Sequence, residues 1–407
     1  MNVYTDTNNK LEYIFKEFDK VYISLSGGKD SGVLLNLCID YIRKNNLKIK
    51  IGVLFIDLEA FYEETVNFIK RIIEANLDII VPFWVCLPLK SDNAVSMYEP
   101  YWIFWDPCKK DKWVRTMPAM DYVINSENHK FGFYKENMTF EEFIEYFGDW
   151  YGTGEKTACL VGIREQESLN RWRAINSERN INKYKNKNYS TKVTDQVYNF
   201  YPIHKWRVED IWVYNGKFKK DYNKIYDLFY KAGISLHKMR ICEPFGSAQK
   251  AGLNMYRIIE PQTWIKVVDR VSGANLGNIY CNTKLLGRNF KLPNGHTWES
   301  YTNFLLDTMP QIAKEQYKQK FKVYIKYWQE HGASVKSEYI NLLLNTRPND
   351  VEDTGKVSTR GNKLNHNLRF KTIPDEVPEL EGKGDFLSWK RMCLAILKND
   401  IYCKTLG

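Results

Sequence analysis

Val21 to Ser31 read Val-Tyr-Ile-Ser-Leu-Ser-Gly-Gly-Lys-Asp-Ser, and no other stretch limits the fold of this chain so tightly. A β-branched run, Val21 and Ile23, stops at a small, glycine-rich turn. An apolar helical pattern then begins with Val33, Leu34, Leu37, Cys38 and Tyr41. The order is strand, anion-sized loop, helix. Gly27 and Gly28 let the backbone turn tightly and bring its N–H groups close to an anion. The helix that follows directs free N–H groups and the positive end of its dipole at the same point. Lys29 adds a cation, Ser24, Ser26 and Ser31 add hydroxyls, and Asp30 is placed to orient the loop or a metal. A glycine turn with a capping serine is the plain alternative, but the full string between strand and helix favours phosphate. The string does not match the Gly-x-x-x-x-Gly-Lys-Ser/Thr loop of P-loop NTPases.

Around this loop, strand and helix patterns alternate. Strands are expected over 21–25, 50–56 and 79–85, with helices over 31–45 (closed by Asn45 and Asn46) and 63–76. A fourth strand is expected over 158–161 and a fifth over 200–204, with a helix from near Glu209. Such alternation implies an α/β fold: a doubly wound parallel sheet of about five strands with helices on both faces. Ligands bind such sheets at the carboxyl ends of the strands, where Ser26–Ser31 and Asp57 both fall. Asp57 there suits a ribose, a base or a magnesium ion, or else caps a turn; Glu59 and Glu64 are weaker candidates. Residues 88–156 break the rhythm with Trp102, Trp105, Trp113 and Trp150, and read as a large insertion that covers or extends the site. From about residue 240 the composition changes. Pro261, Pro293 and Pro310 punctuate short segments, 311–327 is a helix candidate, 345–383 reads as loop or extended chain, and 388–400 as a short amphipathic helix. Two domains are therefore expected, 1–235 and 236–407, the second a mixed, mainly helical extension.

A second chemical motif is Leu160-Val-Gly-Ile-Arg-Glu-Gln-Glu-Ser-Leu-Asn-Arg171. Gly162 permits close approach behind a core strand. If the stretch after it is one helix, Arg164 and Arg171 lie two turns apart on one face, where paired guanidiniums suit phosphate or sulfate. Glu167 is placed to orient one of them, and Ser168 adds a hydroxyl.

The net charge is +10, from 59 basic and 49 acidic residues, and aromatics make up 15% of the chain. That combination suits a polyanion such as a nucleic acid, though Lys, Asn and Tyr usage is also a matter of genome composition. From Arg171 to Lys192 inclusive there are seven basic residues and one acid, Glu178, in a stretch that reads as a loop. The longest apolar run, 77–89, holds Asp78 and two prolines and is too short to span a bilayer. Eight cysteines lie scattered without a Cys-x-x-Cys pair, and 1–19 lacks a basic-then-apolar pattern, so a cytoplasmic protein with reduced thiols is expected. Cys108, Cys159, Cys242 and Cys281 are too widely spaced to give local support to an iron–sulfur cluster. The six histidines fit no zinc spacing, and His204 reads as a packing residue at a strand end.

The string from Ser26 to Ser31 resembles the PP-loop of the N-type ATP pyrophosphatases. That superfamily includes the small subunit of ATP sulfurylase, phosphoadenylyl-sulfate (PAPS) reductase and the DNA phosphorothioation sulfurtransferases. Gly162-Ile-Arg-x-x-Glu-Ser-x-x-Arg171 is similar to the second block of the PAPS reductase family. Tyr201-Pro-Ile-His-Lys-Trp206 with Asp210-Ile-Trp212 resembles its Pro-hydrophobic-x-x-Trp and Asp-hydrophobic-Trp block. These blocks cover roughly 20–235. The remainder, through segments at 240–246, 294–298 and 397–400, resembles the extension of a PAPS-reductase-like group (DUF3440-like) that includes phage- and island-encoded regulatory proteins.

The resemblance implies binding of ATP, PAPS or adenylyl sulfate (APS), with Lys29, Asp30 and Arg164 catalytic. Ser24, Ser26, Gly27, Gly28, Ser31, Asp57, Gly162, Glu167, Ser168 and Arg171 would complete the nucleotide site, and Asp30 and Asp57 would hold Mg2+. The implied reaction is cleavage of ATP between the α- and β-phosphates to adenylylate an acceptor, in nucleic-acid modification or sulfur transfer. PAPS or APS reduction is one alternative; a non-catalytic, nucleotide-dependent regulator associated with DNA is another, with a nucleic acid or a ParB-like protein as partner. A PAPS reductase needs a nucleophilic cysteine in a Glu-Cys-Gly-hydrophobic-His setting. Here the chain reads Ile401-Tyr-Cys-Lys-Thr-Leu-Gly407, which gives Cys403 only a neighbouring lysine to lower its pKa.

Overall fold

The computed structural model describes residues 2–176, 182–241, 243–246, 252–280, 292–357, 365–381 and 385–406. The chain divides into two compact units, the first comprising Met1–Ser91, Ile103–Pro244 and Asn254–Arg270, the second Asp92–Trp102, Phe245–Leu253 and Val271–Gly407.

The first unit opens with α1 (Val3–Glu17), β1 (Lys20–Ser24), α2 (Lys29–Lys44), β2 (Ile51–Ile56), α3 (Glu63–Glu74) and β3 (Ile80–Cys86). A two-stranded ribbon, β4 (Leu89–Asp92) and β5 (Tyr101–Phe104), follows in chain order, its Asp92, Tyr101 and Trp102 belonging to the second unit; then come β6 (Val123–Asn125), α4 (Phe140–Gly152), β7 (Thr157–Val161) and α5 (Leu169–Asn176). The unit closes with β8 (Ser190–Lys192), β9 (Val197–Phe200), α6 (Val208–Lys217), α7 (Ile225–Lys231), α8 (Asn254–Ile259) and α9 (Pro261–Arg270). The sheet order is β6-β3-β2-β1-β7-β9-β8. All neighbours are parallel except β8 and β9. β1 is central, with Ile23 beside both Val53 and Leu160. The chain winds toward β3 on one side of β1 and toward β9 on the other. The loop after β1 therefore stands at the point where strand order reverses, the place where open α/β sheets leave a crevice.

The protein is thus an α/β protein with a mainly parallel sheet, but of seven strands rather than five. The insertion is the source of one extra strand and of one core helix. β6 extends the sheet beside β3, with Val123 paired to Trp84. α4 carries Phe143, Phe147 and Tyr151 at helical spacing. Phe147 meets Tyr22 edge-on at 5.2 Å, and the Tyr151 hydroxyl donates to the Val21 carbonyl (3.1 Å) while accepting from the Gly52 amide (3.1 Å). That aromatic stripe is a core face, worth about 1.5–3 kcal/mol for each ring buried. The other extra strand, β8, folds back on β9, which spans Val197–Phe200 instead of 200–204.

The second unit contains α10 (Ala274–Tyr280), α11 (Trp298–Thr308), α12 (Gln311–His331), β10 (Ala333–Lys336), α13 (Ser337–Thr346), β11 (Val351–Val357), β12 (Asn365–Phe370) and α14 (Trp389–Leu397). Along α12, Ala313, Tyr317, Phe321, Tyr324 and Trp328 form one buried stripe, packed in a core with Leu343, Leu368 and Met392. The stretch expected as loop or extended chain supplies two strands of an antiparallel sheet, β10-β12-β11, pairing Val351 with Phe370.

Candidate functional site

β1 ends at Ser24, which lies beside Leu54 and Val161, and the chain then turns through Ser26–Ser31 into α2. Gly27 has φ +76°, and a Cβ there would stand 2.6 Å from the Thr65 methyl, so both conformation and space demand glycine. The loop hydroxyls brace the turn. Ser26 Oγ accepts from the Gly28 amide (3.3 Å), and Ser31 Oγ donates to the Gly28 carbonyl (3.2 Å). The two hydroxyls lie 3.1 Å apart. Gly28 caps α2 through its backbone alone. Asp30 and Ser31 occupy the first helical turn, whose N–H groups have no intrahelical acceptor.

Gly162, at the end of β7, closes against this turn. A Cβ on it would lie 2.7 Å from the Ser31 nitrogen and 2.8 Å from its Cα. Any side chain at 162 would therefore overlap the backbone of Asp30 and Ser31.

The charged groups form a relay. The Lys29 ammonium lies 3.2 Å from Asp30 Oδ2 and donates to the Met239 carbonyl (3.1 Å). Burial, more than the neighbouring Asp30 can offset, lowers its pKa. Arg164 Nε donates to Asp30 Oδ1 at 2.6 Å, and its outer nitrogen lies 3.8 Å from Glu167. Glu167 in turn pairs with Arg171. Lys29, Asp30 and Arg164 are thus in direct contact, and Glu167 and Arg171 follow one step out. Three cations face two carboxylates beside a helix N-terminus, which leaves the corner net positive. The path from Arg164 to Arg171 is not one helix. A single 3-10 turn, Glu165–Glu167, ends at Ser168, whose extended backbone (φ −165°, ψ 156°) starts α5 afresh with its hydroxyl accepting from the Arg171 amide (3.2 Å). The arginines converge through Glu167, not through a shared helix face.

Asp57 lies at the next strand end in a different setting. It is wholly buried. Oδ1 accepts from the Glu59 amide (3.0 Å) and from Arg115, and Oδ2 accepts from Trp84 Nε1 (2.7 Å). Glu59 is also fully buried. It takes Arg270 through both oxygens (2.9 and 3.1 Å), the Trp105 amide (2.6 Å) and the Val114 amide (3.1 Å). These two carboxylates tie residues 105–115 to the end of β2. Glu64 stands on the first turn of α3, half-buried. Both oxygens of Asp30 and of Asp57 are held by cations or N–H donors of the chain. The carboxylates as arranged do not fit a Mg2+ site. Among the described residues, no group of three or more His, Cys, Asp or Glu side chains converges as metal ligands.

Two residues at the site carry no sequence signal of their own. Asn223 Nδ2 donates to the Gly27 carbonyl (2.9 Å) and to Thr65 Oγ1 (2.9 Å). The Tyr226 hydroxyl accepts from the Lys29 amide (2.9 Å), with its ring 5.5 Å below the Lys29 ammonium. Both are buried, and together they clamp the loop from 196 and 197 residues away.

Other candidates are placed elsewhere. Burial and the nearby Asp400 push the Cys403 thiol up to about 12, while the ammonium of Lys404 is drawn to Asp92 at 3.0 Å. A thiol so held is a poor nucleophile. Cys159 is enclosed in β7 with its thiol raised to about 12, and Cys108 is exposed; Cys242 and Cys281 lie outside the described residues. His204 is buried with Nδ1 2.5 Å from Glu165 Oε1. In the basic stretch, Lys183 donates to two backbone carbonyls, Lys185 pairs with Glu17, and Lys192 with Asp195 at 2.7 Å. Residues 177–181, with Glu178 and Arg179, lie outside the described residues. None of the described helices is long and apolar enough to cross a membrane.

Residues 20–232 match the family model described as the phosphoadenosine phosphosulfate reductase domain, and this covers more than half of the chain. The chain belongs to the phosphoadenosine phosphosulfate reductase domain family. Its remainder, 233–407, matches a domain of unknown function, DUF3440. Across its whole length this family member is 33% identical to the uncharacterized protein YbdN of Escherichia coli (strain K12), over 90% of that protein. It is 28% identical to the uncharacterized protein MJ0066 of Methanocaldococcus jannaschii, over 54% of this chain and 37% of that one. Among solved structures, a PAPS reductase from Candida auris in a phosphate complex aligns with TM-score 0.31 and 14% identity, over 55% of this chain and 84% of that one. An FMN adenylyltransferase from Candida glabrata, in complex with FMN and an ATP analogue, aligns with TM-score 0.34 and 15% identity, over 55% and 59%.

Proposed function

We propose that this protein binds ATP at Ser26–Ser31 and cleaves it between the α- and β-phosphates, transferring the adenylyl group to an acceptor. The observation that supports this reading is Gly162, held so close to the Ser31 nitrogen that any side chain there would overlap the first turn of α2, where the reading places the anion. In this reading the leaving pyrophosphate lies on those amides. Lys29 turns from the Met239 carbonyl to a phosphate oxygen, which its lowered pKa and partial neutralisation by Asp30 make inexpensive. Arg164, held by Asp30, offsets the charge that grows on the bridging oxygen. An acceptor oxygen attacks the α-phosphorus, the bond from that phosphorus to the α,β-bridging oxygen breaks, and pyrophosphate leaves with the electron pair; the acceptor proton goes to solvent. Catalysis would come from positioning and charge stabilisation at a preformed cradle.

Reduction of PAPS or APS is less well supported, because it needs a reactive thiolate and the Cys403 thiol is pushed the other way by burial. DNA association draws no support from the basic stretch, where the cations named above are engaged within the chain. ATP–pyrophosphate exchange tests the reading. The expected result is exchange by the full chain that falls about 10²–10³-fold in Lys29→Met. Absence of ATP binding and of exchange, with every acceptor class supplied, would overturn it.

A further inference from the structure

Behind the loop, the first unit contains a cavity of about 350 Å3 lined by Trp212, Tyr222, Tyr226, Tyr230, Leu236 and Met239, with Asp227 and Lys231 also on its wall. Two of those lining residues are the ones that touch Lys29: Tyr226 holds its amide, and Met239 holds its ammonium. The cavity and the anion loop therefore share a wall. The lining is made mainly of ring faces and edges. Trp212 meets Tyr222 at 5.3 Å and Tyr226 at 5.5 Å, both edge-on. The indole N–H of Trp212 is enclosed and has no acceptor among the described residues. Tyr230 is 70% exposed and Leu236 36% exposed, so apolar surface is left in water although the cavity gives it somewhere to pack. The polar groups are few. Asp227 is held by the Tyr222 hydroxyl at 2.9 Å, and Lys231 supplies one cation. Mostly aromatic walls with a few placed polar groups are the pattern of a small-molecule site, and this volume falls in the usual range.

We propose that this cavity is the acceptor site, and that it takes a planar aromatic or heteroaromatic small molecule of one to three fused rings. The inference rests on the adenylyl-transfer reading and supplies the class of acceptor that reading leaves open. Ring edges and faces favour a flat ligand over a saturated one of equal volume, because offset and edge-on ring contacts add to area burial. The shared wall leaves only Tyr226 and Met239 between such a ligand and Lys29, which on the proposed reading holds the nucleotide. Tyr226 is then a positioning residue for both: its ring borders the acceptor and its hydroxyl holds the loop.

The test uses the full-length protein with indole and quinoline as planar probes and cyclohexanemethanol as the saturated control, followed by saturation-transfer difference NMR. In parallel, α,β-methylene-ATP is titrated calorimetrically into the same wild-type sample. The expected result is binding of both planar probes at least tenfold tighter than of the control, weakened at least tenfold in Trp212→Ala. Because Trp212 is partly enclosed, Tyr230→Ala, at an exposed rim position, is the second variant, and a weakening of several-fold is expected there with an unchanged melting temperature. Equal binding of planar and saturated probes, or planar binding that survives in both variants, would overturn the proposal. Planar probes that bind while the nucleotide analogue gives no heat would instead break the phosphate-cradle reading, and with it the acceptor role of the cavity. Probes that fail while the analogue binds would refute the cavity and leave the cradle standing.

Discussion

The ends of β1 and β2 lie side by side in the sheet and treat buried charge in opposite ways. At the end of β2, Asp57 and Glu59 are fully buried and every carboxylate oxygen is taken by Arg115, Arg270, indole or backbone N–H donors. At the end of β1, one carboxylate, Asp30, meets both Lys29 and Arg164, beside first-turn backbone of α2 that a side chain at 162 would overlap. The first arrangement is complete in itself and serves to fasten the insertion. On the proposed reading, an anion completes the second. Buried ion pairs alone do not mark a functional site; the contrast lies in whether the donors are exhausted.

The largest expected effect falls on the closed end. Glu59→Gln would leave Arg270 buried without its counter-charge, a loss of about 3–5 kcal/mol. Urea unfolding of the variant against wild type measures it, and a loss below about 1 kcal/mol would show that the two strand ends do not differ as argued. At the open end the sign reverses between function and stability. Lys29→Met is expected to lower exchange by about 10²–10³-fold while leaving the melting temperature equal or higher at neutral pH.

The sign follows from linkage. Burial lowers the Lys29 pKa in the folded state, so at any pH below both pKa values the fold bears a fixed penalty for the charge. That penalty disappears only as pH rises through the folded value toward that of the unfolded chain. Stability of the wild type should therefore rise relative to Lys29→Met in alkaline solution, and a pH series of melting curves checks this.

Next in size is Gly162→Ala. The added methyl meets the Ser31 backbone and should abolish measurable nucleotide binding, with a stability loss of about 1–3 kcal/mol from the overlap, read as a lowered urea midpoint. The smallest effect is expected for Tyr226→Phe, which removes one acceptor from the Lys29 amide at about 0.5–1.5 kcal/mol. It should shift the urea midpoint slightly. A further contrast with the loop is Cys403, whose raised thiol should react with iodoacetamide at pH 8 far more slowly than exposed Cys108, read by peptide mass mapping.

The loop and the three strands around it are legible in the sequence because each is local. Val21 and Ile23 alternate in a five-residue strand, and two glycines, a lysine and two serines do their work within six positions. Gly162 was legible as a close approach, because a glycine after an apolar strand has few other uses. What stayed hidden depends on partners far along the chain. Asn223 and Tyr226 reach the loop across nearly 200 residues, and nothing in their surroundings announces it. Asp57 reads as a ligand-facing carboxylate at a strand end, and only Arg115 and Trp84 show how fully it is engaged. Residues 140–151 carry their rings at helical spacing, but their aromatic density obscured the core face. Ser168 breaks a helix that the spacing of Arg164 and Arg171 invites, because its hydroxyl caps the next helix instead.

The most direct measurement is calorimetric titration of α,β-methylene-ATP into the full chain and into Gly162→Ala. The account predicts one site per chain in the wild type and no heat in the variant. Equal heats in both, or none in either, would contradict it.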